Sequence, residues 1–496
     1  MNRRDFVGLS VAAAAGSVFP FNRTLAQLTQ VSGEAVATTA AGTATALSAG
    51  DLQQLKDGLR GALLLPGNAG YDQARRVLNQ AIDRRPALVV QPSGAADVRT
   101  AVNFAREHNL LLAVKCGGHS HGGQSTCDGG MQIDLSRFRS ARVDPAARRA
   151  YVAGGSLLGE LDHEAMAFGL VTTAGTVSHT GVGGLTLGAG FGRLARRFGL
   201  ALDNLVSVDV VTADGQLRHA SASDNADLFW GVRGGGGNFG VVTAFEFQLH
   251  PMQREVIGGA LVFPLARAPE LMQAYADISS SAPADLYLDA VMSARMGGKP
   301  GVFVFSLCYS GPAGKADAVL APLRRLGTPL NDTIKAIDYV ALQRSGDQTD
   351  PRTEGNHLRS GFIDGFSSDL VRELVTGFEA APERNSSVFF QHGGGKIGEV
   401  AAAATAFPHR RATHNMFATA SWPLDQDAAP HVRYVERFWS VIGRHTDGYY
   451  TVETAGESPE TIERNYQGNL ERLRQVKAKY DPTNLFRLNP NVRPVA

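Results

Sequence analysis

His119 stands between two glycine pairs, in the run Cys116-Gly117-Gly118-His119-Ser120-His121-Gly122-Gly123. An imidazole can serve as a base, a metal ligand or a nucleophile, and a neighbouring thiol can do the last two. Glycine has no Cβ, so such a loop can turn sharply and lie close against a ligand. Two further glycine concentrations follow. One comprises Gly175, Gly181, Gly183, Gly184, Gly188, Gly190 and Gly192; the other is Arg233-Gly234-Gly235-Gly236-Gly237-Asn238-Phe239-Gly240. Three glycine loops in one chain point to a large anionic ligand gripped from several sides by backbone N–H groups.

Other chemistries fit these residues less well. Cys116, His119, His121 and Cys127 supply zinc-type donors, but their spacing is not that of a zinc knuckle and a structural zinc loop does not require the glycines. No metal site is expected. Cys116 and Cys127 either pair in an oxidising compartment or are small packed residues. Gly188-x-Gly190-x-Gly192 lacks the preceding strand that a dinucleotide fingerprint requires.

The elements that must position the His119 loop are readable from periodicity. Residues 87–90 form a short apolar run, 95–108 place Val98, Ala101, Val102 and Ala105 on one helical face, and 110–114 form a second apolar run. Strand, helix and strand make a βαβ unit of the right length for a parallel pair, with the His119 loop at the carboxyl end of its second strand. Ligands in open α/β sheets favour that end. Strands are expected over 131–135, 150–153, 205–212 and 241–249, and a helix over 157–167. Beyond Met252 the glycine loops thin out. Strands over 302–308, 388–391 and 416–422 alternate there with helices over 269–278, 315–326 and 431–442, which indicates a second domain. A single terminal helix is expected over 460–480, stopped by Asp481-Pro482.

The chain has 496 residues and a formal charge of +1, so no electrostatic footprint favours nucleic acid. Three cysteines are far too few for a disulfide scaffold. At the N-terminus, Arg3-Arg4 precede an apolar run over 7–19 and then Thr24-Leu25-Ala26. This reads as a twin-arginine signal over 1–26, and its apolar run is too short to span a bilayer. The expectation is export by the twin-arginine machinery to the periplasm or beyond, with no membrane span in the mature chain. Residues 27–50, rich in Ala, Thr and Ser, read as a flexible tether, with a helix beginning at Asp51.

Five motifs then occur in order: Cys116-Gly117-Gly118-His119-Ser120; Thr180-Gly181-Val182-Gly183-Gly184; Asp227-Leu228-Phe229-Trp230 leading through Arg233 to Gly240-Val241-Val242; Phe407-Pro408-His409-Arg410; and Tyr480-Asp481-Pro482-Thr483-Asn484-Leu485-Phe486. Together they resemble the berberine-bridge-enzyme-like branch of FAD-linked oxidases, within the vanillyl-alcohol-oxidase or PCMH-type superfamily. The resemblance covers nearly everything after Asp51. It implies an α+β fold with an FAD domain in two parts, 51–251 and a returning segment over 451–496. Between them, 252–450 would form a substrate domain whose antiparallel sheet, flanked by helices, roofs the isoalloxazine. It also implies that FAD is held by Cys116, Gly117, Gly118, His119, Ser120, Thr180, Gly181, Gly183, Gly184, Gly190, Gly240, Val241 and Val242, with His119 bonded to the flavin 8-methyl carbon. Many members add a second bond from a cysteine. Val177 stands at that place here, so a single covalent link, a more open flavin site and a lower potential are expected. Phe191 stands where plant members often carry a tyrosine.

Oxidation at carbon needs a hydride acceptor and usually a base for the substrate proton. Asn415 and Phe417 occupy strand positions that are polar or acidic in other members, and Phe417 cannot be a base. Tyr450 matches the family tyrosine of the returning segment and leads as the catalytic base, although a phenol with pKa near 10 would need lowering. Glu453 and His179 are the alternatives. Val452 replaces a usual asparagine, and His409-Arg410 read as bracing the strand they precede. The expected function is an exported oxidase. It takes a hydride from a C–H next to O or N of a small sugar, alcohol or amine, and O2 is reduced to H2O2. Thr180 is small enough beside the flavin not to block oxygen. The alternatives are a dehydrogenase passing electrons to a quinone or cytochrome, and a secreted binding protein that keeps the fold without turnover.

Overall fold

The computed structural model describes residues 33–296, 299–349, 353–379, 385–453 and 457–495. The expected twin-arginine signal over 1–26 lies outside them. The expected tether over 27–50 is corrected from residue 33 onward. Strands β1 (Ala35–Thr38) and β2 (Ala44–Leu47) form an antiparallel hairpin. Helix α1 (Ala49–Asp57) follows, with Ser48 capping it in a reciprocal bond with Asp51. Threonine and alanine alternate in the hairpin so that Ala37 and Leu47 turn inward and are fully buried. β-branched threonine favours an extended chain, so the composition that suggested a tether builds a strand pair.

The next sheet carries the His119 loop. Its strands are β3 (Ala62–Leu64), β4 (Leu88–Gln91), β5 (Leu112–Lys115) and β6 (Met131–Asp134), with helix α2 (Ala95–Glu107) between β4 and β5. The helix buries Val98, Ala101, Val102 and Ala105 as its periodicity dictates. The strand order is β3-β4-β6-β5, with β6 parallel to both β4 and β5. The two strands of the βαβ unit are therefore not neighbours, because β6 inserts between them. β5 becomes an edge strand, and the loop leaving it is free to turn away from the sheet.

A second, antiparallel sheet has the order β10-β9-β11-β8-β7, built from β7 (Ala141–Asp144), β8 (Arg149–Ala153), β9 (Leu205–Val211), β10 (Leu217–Ser221) and β11 (Val241–Gln248). Helix α3 (Leu158–Met166), the short helix α4 (Val182–Gly188) and helix α5 (Ala226–Val232) complete this domain.

The substrate domain is one large antiparallel sheet. Its main strands are β12 (Glu255–Pro264), β13 (Leu286–Met296), β14 (Lys299–Tyr309), β15 (Gly355–Ile363), β16 (Ser386–His392) and β17 (His414–Trp422), in the order β12-β14-β13-β16-β17-β15. Alternation along each strand gives the sheet two faces. One face, with Leu288, Phe305, Phe390 and Met416, packs on the helices α6 (Ala268–Ser281), α7 (Ala316–Arg324), α9 (Ser368–Glu379) and α10 (Ala429–Ile442). The other face turns to the FAD domain, where Leu358, Phe362 and Phe417 meet Phe191, Leu200 and Leu202. Helix α8 (Tyr339–Ser345) lies at this boundary.

The expected single helix over 460–480 is two helices, α11 (Pro459–Tyr466) and α12 (Leu470–Tyr480). The break falls at Gln467, whose φ of 48° cannot continue a right-handed helix, followed by Gly468. His409 and Arg410 do not brace the following strand as expected. Arg410 donates two bonds to Asp203 of the FAD domain, at 2.8 and 2.9 Å, and His409 Nε2 lies 2.9 Å from the Asn465 carbonyl of α11. They join the substrate domain to its neighbours.

Candidate flavin site

Lys115 ends β5 in a buried position. Its ammonium lies 3.3 Å from Asp134 on β6 and donates to the Ala74 and Arg76 carbonyls. This fixed strand end launches the loop over 116–120. Gly118 takes a φ of +66°, a conformation open to glycine at no steric cost. Gly117 meets Gly181 back to back: a Cβ on Gly181 would lie 2.3 Å from the Gly117 nitrogen. The loop over 180–184 is held in turn by α3, whose Leu158 N–H donates to the Thr180 carbonyl at 2.9 Å.

These two loops form one side of a cavity that the 235–242 segment and tail residues 486–490 line on its other sides. Its wall includes Cys116, Gly117, Gly118, His119, Ser120, Thr180, Gly181, Gly183, Gly184, Gly240, Val241 and Val242. Twelve of the thirteen expected cofactor residues are thereby brought together. Gly190 is the exception and is corrected. Its φ is +88°, a Cβ there would strike Ala201 at 2.3 Å, and its N–H donates to the Tyr450 hydroxyl. Its glycine serves packing behind the wall.

The fit to FAD rests on this wall. Ser125 Oγ and Thr451 Oγ1 are buried in it without a hydrogen-bond partner among the described residues, so a bound ligand with polar groups would satisfy both. A Cβ on Gly184 or Gly236 would meet nothing within 4 Å, which leaves bare backbone facing the space. Apolar Leu112, Val114, Leu135 and Phe245 supply the surface that a flavin or adenine ring needs. Burial pushes the Cys116 thiol, half-buried in the wall, up to about 11 and the fully buried Cys127 thiol up to about 12, and neither is in a disulfide in this structure.

The three candidate bases separate. Tyr450 is 2% exposed and sits behind the wall among Phe191 and Phe362, its hydroxyl accepting the Gly190 N–H at 3.1 Å. Burial raises its pKa well above that of an ordinary phenol, the opposite of what a base needs, so the structure lends the leading expectation no support. His179 lies next to His119, ring centroids 5.4 Å apart. Glu453 is in the wall itself, with Oε2 3.2 Å from His121 Nε2. His121 Nδ1 lies 2.8 Å from Asn356 Oδ1 on β15. An amide oxygen only accepts, so Nδ1 carries the hydrogen of that bond and Nε2 is turned toward Glu453. On β17, Asn415 donates to Gln391 at 3.1 Å and Phe417 stacks on Phe389 at 4.3 Å.

Sequence reasoning missed Ser125 and Thr451, and also Gly235, Gly236 and Gly237, which line the cavity with Phe486, Leu488, Asn489 and Pro490 of the tail. The glycine run was visible as a motif, yet only its last positions were taken as contacts. The tail was marked by its family motif only as far as Phe486, so its contacts at Leu488, Asn489 and Pro490 were not singled out.

A family model described as an FAD binding domain matches residues 86–221, and one described as berberine and berberine like matches 455–493. An FAD-linked oxidoreductase of Dictyostelium discoideum is 32% identical over 442 residues, covering 88% of this chain and 96% of that protein. The (R)-6-hydroxynicotine oxidase of Paenarthrobacter nicotinovorans is 29% identical, covering 88% and 97%. The crystal structure of 6-hydroxy-D-nicotine oxidase from Arthrobacter nicotinovorans superposes with a TM-score of 0.81 at 25% identity, covering 88% and 98%.

Proposed function

The chain belongs to the berberine-like FAD-linked oxidoreductases, and on that footing we propose that it is an exported oxidase acting on a C–H next to oxygen or nitrogen of a small organic substrate. Bound FAD supplies the hydride acceptor and passes the electrons to O2, giving H2O2. The observation that carries the reading is a single cavity wall containing both His119 and Glu453. The His119 imidazole tethers the flavin through one covalent bond. Glu453 takes the substrate O–H or N–H proton. His121 stabilises the proton there, and Asn356 keeps the imidazole turned toward the carboxylate. The twin arginines Arg3-Arg4 and the apolar run over 7–19 support action outside the cytoplasm.

Acid precipitation of the purified protein tests the tether. Wild type should give a yellow, fluorescent pellet, and His119→Ala should release all flavin to the supernatant. Free flavin from wild type overturns the covalent bond. A panel of sugars, aromatic alcohols and amines, read by H2O2 formation, tests the oxidase. Substrate turnover with a quinone-type dye but no H2O2 replaces it with a dehydrogenase.

The proton acceptor is checked by a pair of variants on the substrate so found. Glu453→Gln should lower kcat on the order of a hundredfold, the usual worth of a general base. Tyr450→Phe should change it by less than about threefold, because the hydroxyl lies behind the wall and bonds backbone N–H groups there. The reverse ranking would return the role to Tyr450.

A further inference from the structure

The loop over 175–180 supplies Thr180 to the cavity wall and sets His179 against His119. On the FAD-domain side, the N–H groups of Leu158 and Gly159 donate to the Thr180 and Ser178 carbonyls at 2.9 and 2.8 Å. The substrate domain adds contacts from α8 and the turn after it. Asp347 Oδ1 accepts the Ser178 N–H at 2.7 Å, and Oδ2 accepts the Ser178 hydroxyl at 2.6 Å. Gln343, which is 1% exposed, donates to the Gly175 carbonyl at 2.7 Å. The same amide accepts from Arg193 at 2.6 Å, and Arg193 donates in turn to the Thr176 carbonyl at 3.1 Å. Gly346 lies flush on the loop, since a Cβ there would stand 2.0 Å from the Thr176 oxygen.

We propose that Asp347 is a positioning residue for the flavin site: from the substrate domain it holds the 175–180 loop, and with it His179 and Thr180, against the bound cofactor. This rests on the reading that FAD fills the cavity. One carboxylate taking both the N–H and the hydroxyl of one residue fixes that residue's orientation as well as its place, and bonds to a charged acceptor are the strong kind. Gln343 and Gly346 set how closely the loop lies, and Asp347 sets its rotation. Asp347 itself is not in the cavity wall. The clamp also makes the flavin environment depend on how the substrate domain is seated, although no residue of α8 reaches the cavity.

The test uses full-length protein in the His119→Ala background, where FAD can be exchanged and titrated by fluorescence. Asp347→Ala should weaken FAD binding about tenfold and change the visible circular dichroism of the bound flavin. Asp347→Asn, which keeps an oxygen for the Ser178 N–H, should restore most of both. Wild-type affinity together with an unchanged visible spectrum in folded Asp347→Ala overturns the proposal. Should that variant not fold, Ser178→Ala decides by the same two readings. Absence of FAD from the parent protein would instead defeat the cofactor reading, before any clamp variant is compared. A holoenzyme that retains FAD in the supernatant after acid treatment moves the titration to the wild-type background and leaves the comparison intact.

Discussion

Gly181→Ala is expected to yield a folded protein that carries no flavin and has no turnover. Gly181 has an ordinary extended backbone, φ −72° and ψ 131°, so conformational freedom is not why glycine stands there. Space is. A Cβ would lie 2.3 Å from the Gly117 nitrogen, 2.6 Å from Cys116 Sγ and 3.0 Å from Gly117 Cα. Backbone cannot yield as a side-chain tip can, so one loop must move by about an ångström, at a cost of roughly 1–3 kcal/mol. The 180–182 segment is held on its far side by Leu158 N–H to Thr180 O and by Val182 N–H to Ser156 O, both at 2.9 Å. The shift therefore falls on the 116–118 loop, which carries His119. The wall opens where the cofactor must be gripped, and the imidazole leaves its place in it. Flavin absorbance of the purified variant measures the first effect, and thermal unfolding of apo forms shows that the fold survives. Normal flavin loading would mean that the two loops separate without consequence.

The same pair of loops shows what a sequence can and cannot reveal. His119 and its glycines were legible because a strand followed by Gly-Gly-His-Ser-His-Gly-Gly has few physical uses. The motifs that followed narrowed those uses to a flavin. Strand and helix positions followed from periodicity, and α2 agrees with expectation to within a residue at its end. What periodicity does not encode is neighbourhood. Nothing in β4, α2 or β5 announces that β6 will slip between the two strands. Nothing in 33–47 separates the Ala-Val-Ala-Thr and Ala-Thr-Ala-Leu strands from a tether, since both are built of small residues with little charge. The Ser48-x-x-Asp51 capping pair was the available signal that order begins earlier.

Tyr450 illustrates the limit for sites. Its match to a family position carries no information about which way the ring faces. That direction is set by the aromatic cluster of Phe191, Phe362 and Phe407, which takes the phenol into the core and turns its hydroxyl to Gly190. The neighbouring positions, Thr451, Val452 and Glu453, reach the cavity instead. Long-range partners were equally hidden: Asp347 and Ser178 are 169 residues apart, and Arg410 and Asp203 are 207 apart.

Lys477→Met should remove about 3–5 kcal/mol of stability and loosen the far wall of the flavin cavity with it. Lys477 and Asp481 lie one turn apart on and just beyond α12, both fully buried. The ammonium has three donors and uses them on Asp481 Oδ2 at 2.7 Å, the Asn238 carbonyl at 2.7 Å and the Phe486 carbonyl at 2.9 Å. Asp481 accepts the N–H groups of Leu485 and Phe486. Asn238 adds bonds to the Gly235 and Pro490 carbonyls and accepts the Val492 N–H. The cluster thus sews the tail, whose Phe486, Leu488, Asn489 and Pro490 line the cavity, to the Gly235–237 turn on its other side. Burial pulls the Lys477 pKa down while Asp481 opposes it, as expected for a pair in which neither member tolerates the loss of the other. Methionine fills the stem's volume but leaves Asp481 charged and uncompensated. For a chain of this size about 1 °C of melting temperature corresponds to each kcal/mol, so urea unfolding is the sharper measure. Lys477→Met combined with Asp481→Asn removes the orphaned charge and should recover part of the loss while still weakening FAD retention. Equal stability of the single and double variants would show that the charge pair does not hold the tail, and unchanged FAD affinity in both would uncouple the tail from the cavity.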